Sequence, residues 1–572
     1  MHLGNSGRID SLLRAGRIYL SLQDAIALAL ENNLDIELQR YGPRLARTDI
    51  LRAEAGSAIR GVSTSVAGAT GASSAVGAVT TGTGARSISL EPTLTFNYNW
   101  LHQTTPQTSS FVTGTNSLQT ESTTANVGIQ KAFTTGTTVS FGWNNSFTSN
   151  NSGRSDFNPS KSANFNLSVT QPLLDGFGRA VNTRNIRVAR NNLQVSDLVF
   201  RQQVMTTVAS VINLYWDLVS YNQNVRVQRQ AVALAQRLYE DNKKQVEIGT
   251  LAPIEIVRAE AQVASSQQSL TIAETQLLQQ ETVLKNVLSR TGVASPVLAE
   301  ARVVPTDQIR VPASEAIEPI QDLVARAMEN RPELAQTRVQ LENAKIGLAG
   351  TKSALRPTLD LVGTLQNNGL AGQVNTLPVP SVTPGVPPTP RNPNAVDPYF
   401  LGGYGTALAQ LLRRNFPNYS LGFQLNFPLG NKVAEADMIR DQLSIRQQEI
   451  RQQQLTNQIR LDVTNALIAV QQARAQYEAA TKTRVLQEQT LAAEEKKYAL
   501  GASTIYFVIQ AQRDLAQAQS QEVTALSAYS RAKVALDQAT GRTLETYGIE
   551  IEEAKTGRVS RGPSPLPPET QP

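Results

Sequence analysis

The sequence contains no cysteine and only two histidines among its 572 residues. Without cysteine the chain cannot form a disulfide bond, a thiolate metal site or a cysteine nucleophile. His2 stands at the terminus and His102 stands alone, so neither a zinc site nor a Ser-His-Asp triad is expected. The phosphate-binding pattern G-x-x-x-x-G-K-[ST] is missing too. We therefore predict that the protein is not an enzyme and has no cofactor and no metal ion.

Long apolar runs and strong charge are also missing. No apolar stretch approaches the ~18 residues that a membrane-spanning helix needs. The net charge of +6 is small for this length, and lysine and arginine are interspersed with acidic residues rather than clustered in a stripe. The sequence therefore predicts no nucleic-acid partner.

What the sequence does contain is a duplication. The pattern QDAI followed by ALENN at 23–33 returns as QDLV followed by AMENR at 321–331. Acidic, apolar and asparagine positions coincide in the two copies. The order of helical and strand-like segments that follows each copy is also the same, which indicates two related halves.

The duplication divides the chain into four parts. We predict an N-terminal segment at 1–18, a first repeat at 19–317, a second repeat at 318–545 and a disordered, proline-rich C-terminal tail at 546–572. The first repeat is predicted to contain helices at 21–56, a Gly- and Ala-rich insertion at 57–88, strands at 91–172, helices at 178–290 and a linker at 291–317. The second is predicted to contain helices at 319–354, strands at 356–428 interrupted by a long proline-rich surface loop at 368–418, and helices at 431–540.

The longest helical stretches follow the prolines Pro172 and Pro428, which mark the junctions between strand and helix. Each stretch has about 70 residues and would form a rod of roughly 105 Å. Each ends at a glycine turn, Gly249 or Gly501, after which a second helix returns. Small and β-branched residues recur at spacings of four and three, as expected for a coiled-coil-like seam; examples are Ile459, Val463, Ala466, Val470, Ala473 and Tyr477.

The strand segments alternate between an apolar, aromatic face and a neutral polar face. In the first one Leu94, Phe96, Tyr98 and Trp100 alternate with threonine and asparagine. This pattern is typical of a transmembrane barrel, and the alternative is a soluble sandwich with one wet face. About four strands are predicted in the first half, including a hairpin at 123–148, and two in the second. So few strands cannot close a barrel, and open edges cannot face lipid, so several copies would have to share one.

Together these features resemble the TolC-type outer-membrane efflux proteins, or outer membrane factors, over residues 19–545. The resemblance rests on LQDA at 22–25, QPLL at 171–174 and the two glycine turns. It implies an α+β membrane protein with an internal duplication. A long α-helical barrel, or coiled-coil-like tunnel, would join a transmembrane β-barrel shared by a homotrimer. Four strands from each protomer would make 12, so the hairpin at 123–148 either is extracellular or enlarges the barrel.

The function implied by this resemblance is a passive channel. It would be the exit duct of a tripartite efflux or type I secretion system in the outer membrane of a Gram-negative bacterium, with its helices extending into the periplasm. Its partners would be the lipid bilayer, a periplasmic adaptor (membrane fusion) protein and an inner-membrane transporter of the RND or ABC type. The alternative is a structural coiled-coil scaffold with a β-rich head at the cell surface. Neither reading names an exported substrate.

The resemblance also implies site residues. The adaptor would dock on the helix tips, for which a plain turn between helices is the alternative; the tip residues are Ile248, Gly249, Thr250, Leu251, Leu500, Gly501, Ala502 and Ser503. The gate or pore constriction would involve Glu255, Tyr498, Phe507 and Gln510.

In the family archetype the tyrosine hydrogen-bonds to the acidic residue, here Tyr498 to Glu255. The archetype's further arginine would fall at Ser503, and its ring of aspartates at Phe507 and Gln510. The resemblance therefore implies a less acidic gate here, in which Phe507 either narrows the pore or packs between helices.

Four aromatic residues of the strands are candidates for the membrane interface, where tyrosine and tryptophan are enriched. The alternative is that they are ordinary lipid-facing residues. They are Tyr98, Trp100, Trp143 and Tyr419.

Overall fold

The structure, a computed structural model, describes residues 4–61, 89–249, 251–312, 318–383 and 385–565. Most of the predicted Gly- and Ala-rich insertion, 62–88, lies outside the described residues, and so does Thr250. In the described part of the chain, the long helices and the strands within 91–172 and 356–428 follow one another in the predicted order, while the predicted N-terminal segment and the predicted linker 291–317 also contain short helices and strands. None of the described helices has a stretch long and apolar enough to cross a membrane.

The first half contains eight helices and seven strands among the described residues. In chain order they are α1 (Gly7–Leu12), β1 (Leu13–Arg14), β2 (Arg17–Leu20), α2 (Leu22–Asn32), α3 (Leu34–Glu54), β3 (Thr93–Pro106), α4 (Ser110–Thr113), β4 (Ser117–Ala132), β5 (Thr138–Asn150), β6 (Phe157–Pro172), α5 (Arg179–Asn182), α6 (Arg184–Glu247), α7 (Ile254–Leu288), α8 (Pro296–Glu300) and β7 (Arg302–Pro305).

The second half repeats the main elements of the first. It contains α9 (Ile320–Asn330), α10 (Pro332–Ala354), β8 (Thr358–Val374), α11 (Tyr404–Arg413), β9 (Pro417–Asn426), α12 (Lys432–Ala499), α13 (Ile505–Ala539), α14 (Thr543–Thr546) and α15 (Ile551–Thr556).

The lengths of corresponding helices agree between the halves. Helices α2 and α9 have 11 residues each, and the return helices α7 and α13 have 35 each. The long helices α6 and α12 have 64 and 68 residues, so each extends roughly 100 Å. Each long helix and its return helix thus form a hairpin, in which the return helix is about half as long as the helix it follows.

The seam predicted on α12 is present. Ile459 and Val463 are fully buried, and Val470 and Ala473 nearly so. They pack against α9, α13 and the loop before α9. On α6 the hydroxyl of Tyr215 donates to the backbone oxygen of Leu20, 3.0 Å away, and lies 2.9 Å from a carboxylate oxygen of Asp307. That contact fastens the long helix to the small sheet β1-β2-β7 at its side.

The other sheet has six antiparallel strands in the order β3-β4-β5-β6-β8-β9. The predicted hairpin is longer than expected and forms β4 and β5, which lie inside this sheet between β3 and β6. The hairpin is therefore part of the sheet and not an appendage to it.

One face of this sheet is apolar across all six strands. Cross-strand register places one apolar residue of each strand in a single row: Leu94, Ile129, Phe141, Leu167, Leu365 and Tyr419. The opposite face carries a row of five asparagines on β3 to β8: Asn97, Asn126, Asn144, Asn164 and Asn368. Since side chains alternate across a strand, the predicted separation of apolar and polar faces is correct and includes the hairpin.

The prediction of one long surface loop at 368–418 is wrong. The segment 368–418 is not only a surface loop, because β8 continues to Val374 and residues 404–413 form α11. Ala407 and Leu411 of α11 pack on Ala163 and Ala371 of the sheet. The helix can approach this closely because of Gly369, where a Cβ atom would lie 2.2 Å from the backbone oxygen of Ala407.

The prediction of a disordered tail at 546–572 is wrong for residues 546–565, which include α15, and the rest of this tail lies outside the described residues. Ala554 is fully buried in an apolar cluster with Ile26, Leu30 and Phe200. The Arg40 Nε donates to the backbone oxygen of Ala554 at 2.7 Å. The composition of the tail did not predict this contact, because the few apolar residues that form the contact stand among charged residues.

Removing residues 549–572 should lower the free energy of unfolding by about 2–4 kcal/mol, because it exposes Ile26 and Leu30 and removes Ala554 from the cluster. Removing only 566–572, which leaves residues 549–565 in place, is the matched control and should have little effect. Thermal unfolding of both truncated proteins measures the difference. Equal stabilities would show that the tail adds nothing to this cluster.

Candidate functional site at the ends of the helical hairpins

The turns at the far ends of the two hairpins have closely similar geometry. Gly249 and Gly501 have φ of +78° and +72°, a left-handed conformation that favours glycine. The amide of Gly501 donates to the oxygen of Tyr498 at 2.9 Å, and the amide of Ala502 to the oxygen of Lys497 at 2.8 Å. These two bonds form a Schellman motif, which satisfies the last carbonyls of α12. The amide of Gly249 donates to Val246 in the same way at 3.0 Å.

Both turns expose large apolar side chains. Ile248 is 73% exposed and Leu500 is 85% exposed, and each stands directly before its glycine. Ala502 is also exposed, whereas Leu251 and Ser503 are partly buried. Isolated apolar residues are common on surfaces, but here two of them occupy equivalent positions at the tips of two rods.

Beneath the second turn a small apolar cluster joins three helices. Leu238 of α6 and Leu491 of α12 pack with the first turns of α13, which contribute Ile505, Val508 and Ile509. Tyr498 packs against the edge of this cluster. Among the described residues, a few side chains therefore hold the tip of the second hairpin against α6.

The hydrogen bond expected between Tyr498 and Glu255 is not the one that forms. The hydroxyl of Tyr498 lies 3.1 Å from Oδ1 of Asn242 and 3.2 Å from Oε1 of Gln245, both on α6. Burial raises the pKa of Tyr498, and the negative charges of Glu255 and Asp241 raise it further. The neutral hydroxyl thus acts as a donor that links α12 to α6. Two amides within one turn of α6 supply the acceptors, so Tyr498 needs no carboxylate.

Glu255 instead forms an ion pair with Arg258 on its own helix, at 2.9 Å. Its second oxygen, Oε2, is buried and has no hydrogen-bond partner. At the second turn, Ser503 donates to Glu494 at 2.8 Å, and Lys497 pairs with the same carboxylate at 2.6 Å. Hydrogen bonds from Lys497 and Ser503 lower the pKa of Glu494. Ser503, where the archetype's arginine would stand, therefore braces its own turn.

The exposed face of α13 contains one functional candidate that the sequence analysis missed, Asp514. Phe507 is 54% exposed, and Gln510 is exposed one turn further on. The amide of Gln510 donates to Oδ1 of Asp514 at 2.9 Å. Residues three and seven positions after Phe507 share its helix face, so the spacing alone could have identified Asp514 as an acidic group on this face.

The remaining predicted residues lie in the six-stranded sheet, far along the chain from the turns. Pro172 is the last residue of β6, and Pro428 follows the end of β9. The four aromatics share the apolar face and are exposed, Tyr419 most of all at 81%. Among the described residues, no group of histidine, aspartate and glutamate is placed to hold a metal ion.

Comparison with known proteins gives one family. The model of the family described as outer membrane efflux protein matches residues 118–290 and 323–542, more than half of the chain. No curated protein sequence matches it.

Solved structures of bacterial outer-membrane channels share the fold. The CmeC channel of Campylobacter jejuni superposes with a TM-score of 0.57 at 13% identity, covering 94% of this chain and 90% of that one. VceC of Vibrio cholerae gives 0.55 at 13% identity, covering 91% and 96%. The open state of MtrE from Neisseria gonorrhoeae gives 0.51 at 17% identity, covering 91% and 89%. At these identities the likeness establishes the fold.

Replacing Tyr498 by Phe should loosen the contact between α12 and α6. It leaves the fully buried Asn242 without its hydroxyl partner, a local cost of about 1–3 kcal/mol. Amide hydrogen exchange in the last turns of α12 should become faster. Tyr506→Phe, at an exposed ring on the neighbouring turn, is the matched control and should leave the exchange unchanged. Equal rates of amide exchange in the two variants would show that the hydroxyl of Tyr498 does not hold α12 against α6.

Proposed function

The chain belongs to the outer membrane efflux protein family, whose members are outer-membrane efflux channels, and we propose that as a homotrimer it forms the passive exit duct of a tripartite efflux or type I secretion system. Its location would be the outer membrane of a Gram-negative bacterium. The sheet would form part of a transmembrane barrel, and the helical hairpins would extend into the periplasm as a tunnel.

The observation that carries this proposal is the apolar face of the six-stranded sheet. Leucine, phenylalanine, tyrosine and tryptophan stay exposed on β3 and β9, the two edge strands, while α11 covers the part of this face that lies on β6 and β8 around Ala163 and Ala371. A soluble scaffold would have to leave this surface in water, which is costly and promotes aggregation. A bilayer covers it without cost, and the neutral polar face would then line a water-filled pore.

The two helical hairpins support the tunnel. Polar contacts join the middle parts of α6 and α13: Ser520 donates to Asn224 at 3.0 Å, Gln228 to Ser520 at 3.2 Å and Ser527 to Asp217 at 3.1 Å. A helix of roughly 100 Å held beside the return helix of the other hairpin in this way suits the wall of a wide duct.

The exposed tips support a docking role. Ile248 and Leu500 at the turns would contact a periplasmic adaptor protein, which would connect the duct to an inner-membrane transporter of the RND or ABC type. No ATP-binding pattern is present in the chain, so the energy for export would come from that transporter. The aromatics Tyr98, Trp100, Trp143 and Tyr419 would lie in or near the lipid interface.

The gate would open by a change of packing at the tips. In the state described here, Tyr498 holds α12 against α6 through Asn242 and Gln245. Adaptor contact at the tips would favour an arrangement in which this bond is broken and the second hairpin moves outward.

The proposal is tested by the mass and conductance of the purified protein. It should be extracted only with detergent, with a protein mass of about 186 kDa, which is three times the 62.0 kDa of one chain. In planar bilayers it should form channels. A soluble monomer or dimer without conductance would contradict the proposal and favour the scaffold.

The charge of the gate gives a sharper prediction. Phe507→Asp places acidic groups from three copies on the face that already carries Asp514, and should raise the preference for cations in bilayer recordings several-fold. Tyr506→Asp is the matched control, because Tyr506 is equally exposed but lies about 100° around the helix. An unchanged reversal potential in Phe507→Asp would place this face of α13 outside the pore.

A further inference from the structure

We infer that the barrel closes between copies by antiparallel pairing of β3 with β9 of the neighbouring copy, which gives a trimer a wall of 18 strands instead of the 12 expected from the family resemblance. The trimer is taken from the proposed function, and the closing strands and their register are inferred from the sheet itself. The partner surface is thus a second copy of this chain.

The first argument is the state of the sheet edges. In the described part of the chain, β3 is hydrogen-bonded only to β4 and β9 only to β8, so both strands present unpaired amide and carbonyl groups. Soluble proteins protect such edges with charges, prolines or bulges. The stretches 93–105 and 418–426 contain no lysine, arginine, aspartate, glutamate or proline. Unprotected edges beside a lipid-facing surface have to be paired.

The second argument is parity. The sheet has an even number of strands, and each runs antiparallel to its neighbours. Strand β9 therefore runs opposite to β3, and the β9 edge of one copy meets the β3 edge of the next in antiparallel orientation. Identical copies can then close into a ring with one uniform type of pairing.

The third argument is the slope of the apolar band. In the row that joins Leu94 to Tyr419, Leu94 is the first apolar residue of the band on β3, which continues along the strand to Trp100. Tyr419, in contrast, begins a band on β9 that continues to Leu425, toward the helices. Across the six strands the apolar band thus shifts toward the helices by about its own height, measured along the strands. Such a slope is expected when strands are tilted and staggered in a barrel wall.

Matching the two ends of the band fixes the register. If the bands of neighbouring copies lie at the same height, Leu94 lies opposite Leu425 and Trp100 opposite Tyr419. On the polar face Thr95 then lies opposite Gln424. The hairpin β4–β5 belongs to the wall, because Ile129 and Phe141 lie on its apolar face and Asn126 and Asn144 on its polar face.

The consequence is a wider pore at the outer membrane. At equal tilt the diameter of a barrel grows roughly in proportion to its strand number, so 18 strands give about one and a half times the diameter of 12. This chain would therefore present a wider outer opening than a relative that contributes four strands per copy.

The natural absence of cysteine makes disulfide trapping a direct test. Oxidation of the double variant Thr95→Cys with Gln424→Cys should give covalent trimers on a denaturing gel, and reduction should return them to monomers. Mixed trimers from coexpressed single variants should give dimers, which shows that the bond joins different copies. The offset control Thr95→Cys with Asn418→Cys separates the thiols by about 20 Å along the strand and should not cross-link.

A second pair of variants tests whether the hairpin lies in the wall. In the reconstituted protein, Asn144→Cys should react with a charged, water-soluble thiol reagent and lose conductance. Phe141→Cys should react only with a reagent that partitions into lipid. Reaction of both with the water-soluble reagent would place the hairpin outside the bilayer and overturn the count of 18.

The outcomes separate this inference from the proposed function. Channels that conduct but yield no 95–424 cross-link would overturn the closing pair and leave the duct intact. A cross-link confined to monomers would mean that β3 and β9 of the same copy meet. Absence of conductance in the unmodified protein would contradict the duct itself, whatever the cross-links.

Discussion

The backbone hydrogen bond at a sheet edge is the constraint on which the rest of this protein depends. In lipid an unpaired amide or carbonyl has no water to bind, so a sheet with open edges cannot be stable there by itself. The six-stranded sheet has two such edges and an apolar face that ends at both of them. In the proposed barrel one copy would supply only part of the wall, and assembly of the copies would bring the attached helical hairpins side by side.

The helical hairpins are stabilised by interactions between side chains. Their large apolar clusters lie away from the turns, at 200–225 of α6 and 273–288 of α7. Between α6 and α13 the packing also includes amide and hydroxyl contacts such as Ser520 with Asn224 and Ser527 with Asp217. Contacts of this kind contribute about 1 kcal/mol each and can be exchanged for water or for another polar partner. Stability therefore falls from the sheet side of the protein towards the tips. At the tips, one apolar cluster and the bond from Tyr498 hold the second hairpin to α6.

Periodic features of the sequence were predictable, and contacts between distant segments were not. Alternating residues on β3 to β9, the seam from Ile459 to Ala473 and the glycines of positive φ all follow from local rules of spacing or backbone geometry. Helix α11 was not predicted, because the segment around it is rich in proline and because distant residues stabilise it. These are the alanines Ala163 on β6 and Ala371 on β8, and Gly369, which has no side chain. The partner of Tyr498 was also missed, because a neutral amide on α6 leaves no mark in the spacing around the turn.

The ordered tail has a consequence for the way the chain reaches its final state. Ala554 and its neighbours complete a cluster that begins with Ile26 and Leu30, and the backbone amide of Ser564 donates to the carboxylate of Asp24. These partners are separated by more than 500 residues of intervening chain. Contacts of such long range form late, because the entropy of closing the loop must be overcome first. This cluster can therefore be completed only when nearly the whole chain has been synthesised, so a chain that ended within 318–545 would lack the residues that cover Ile26 and Leu30.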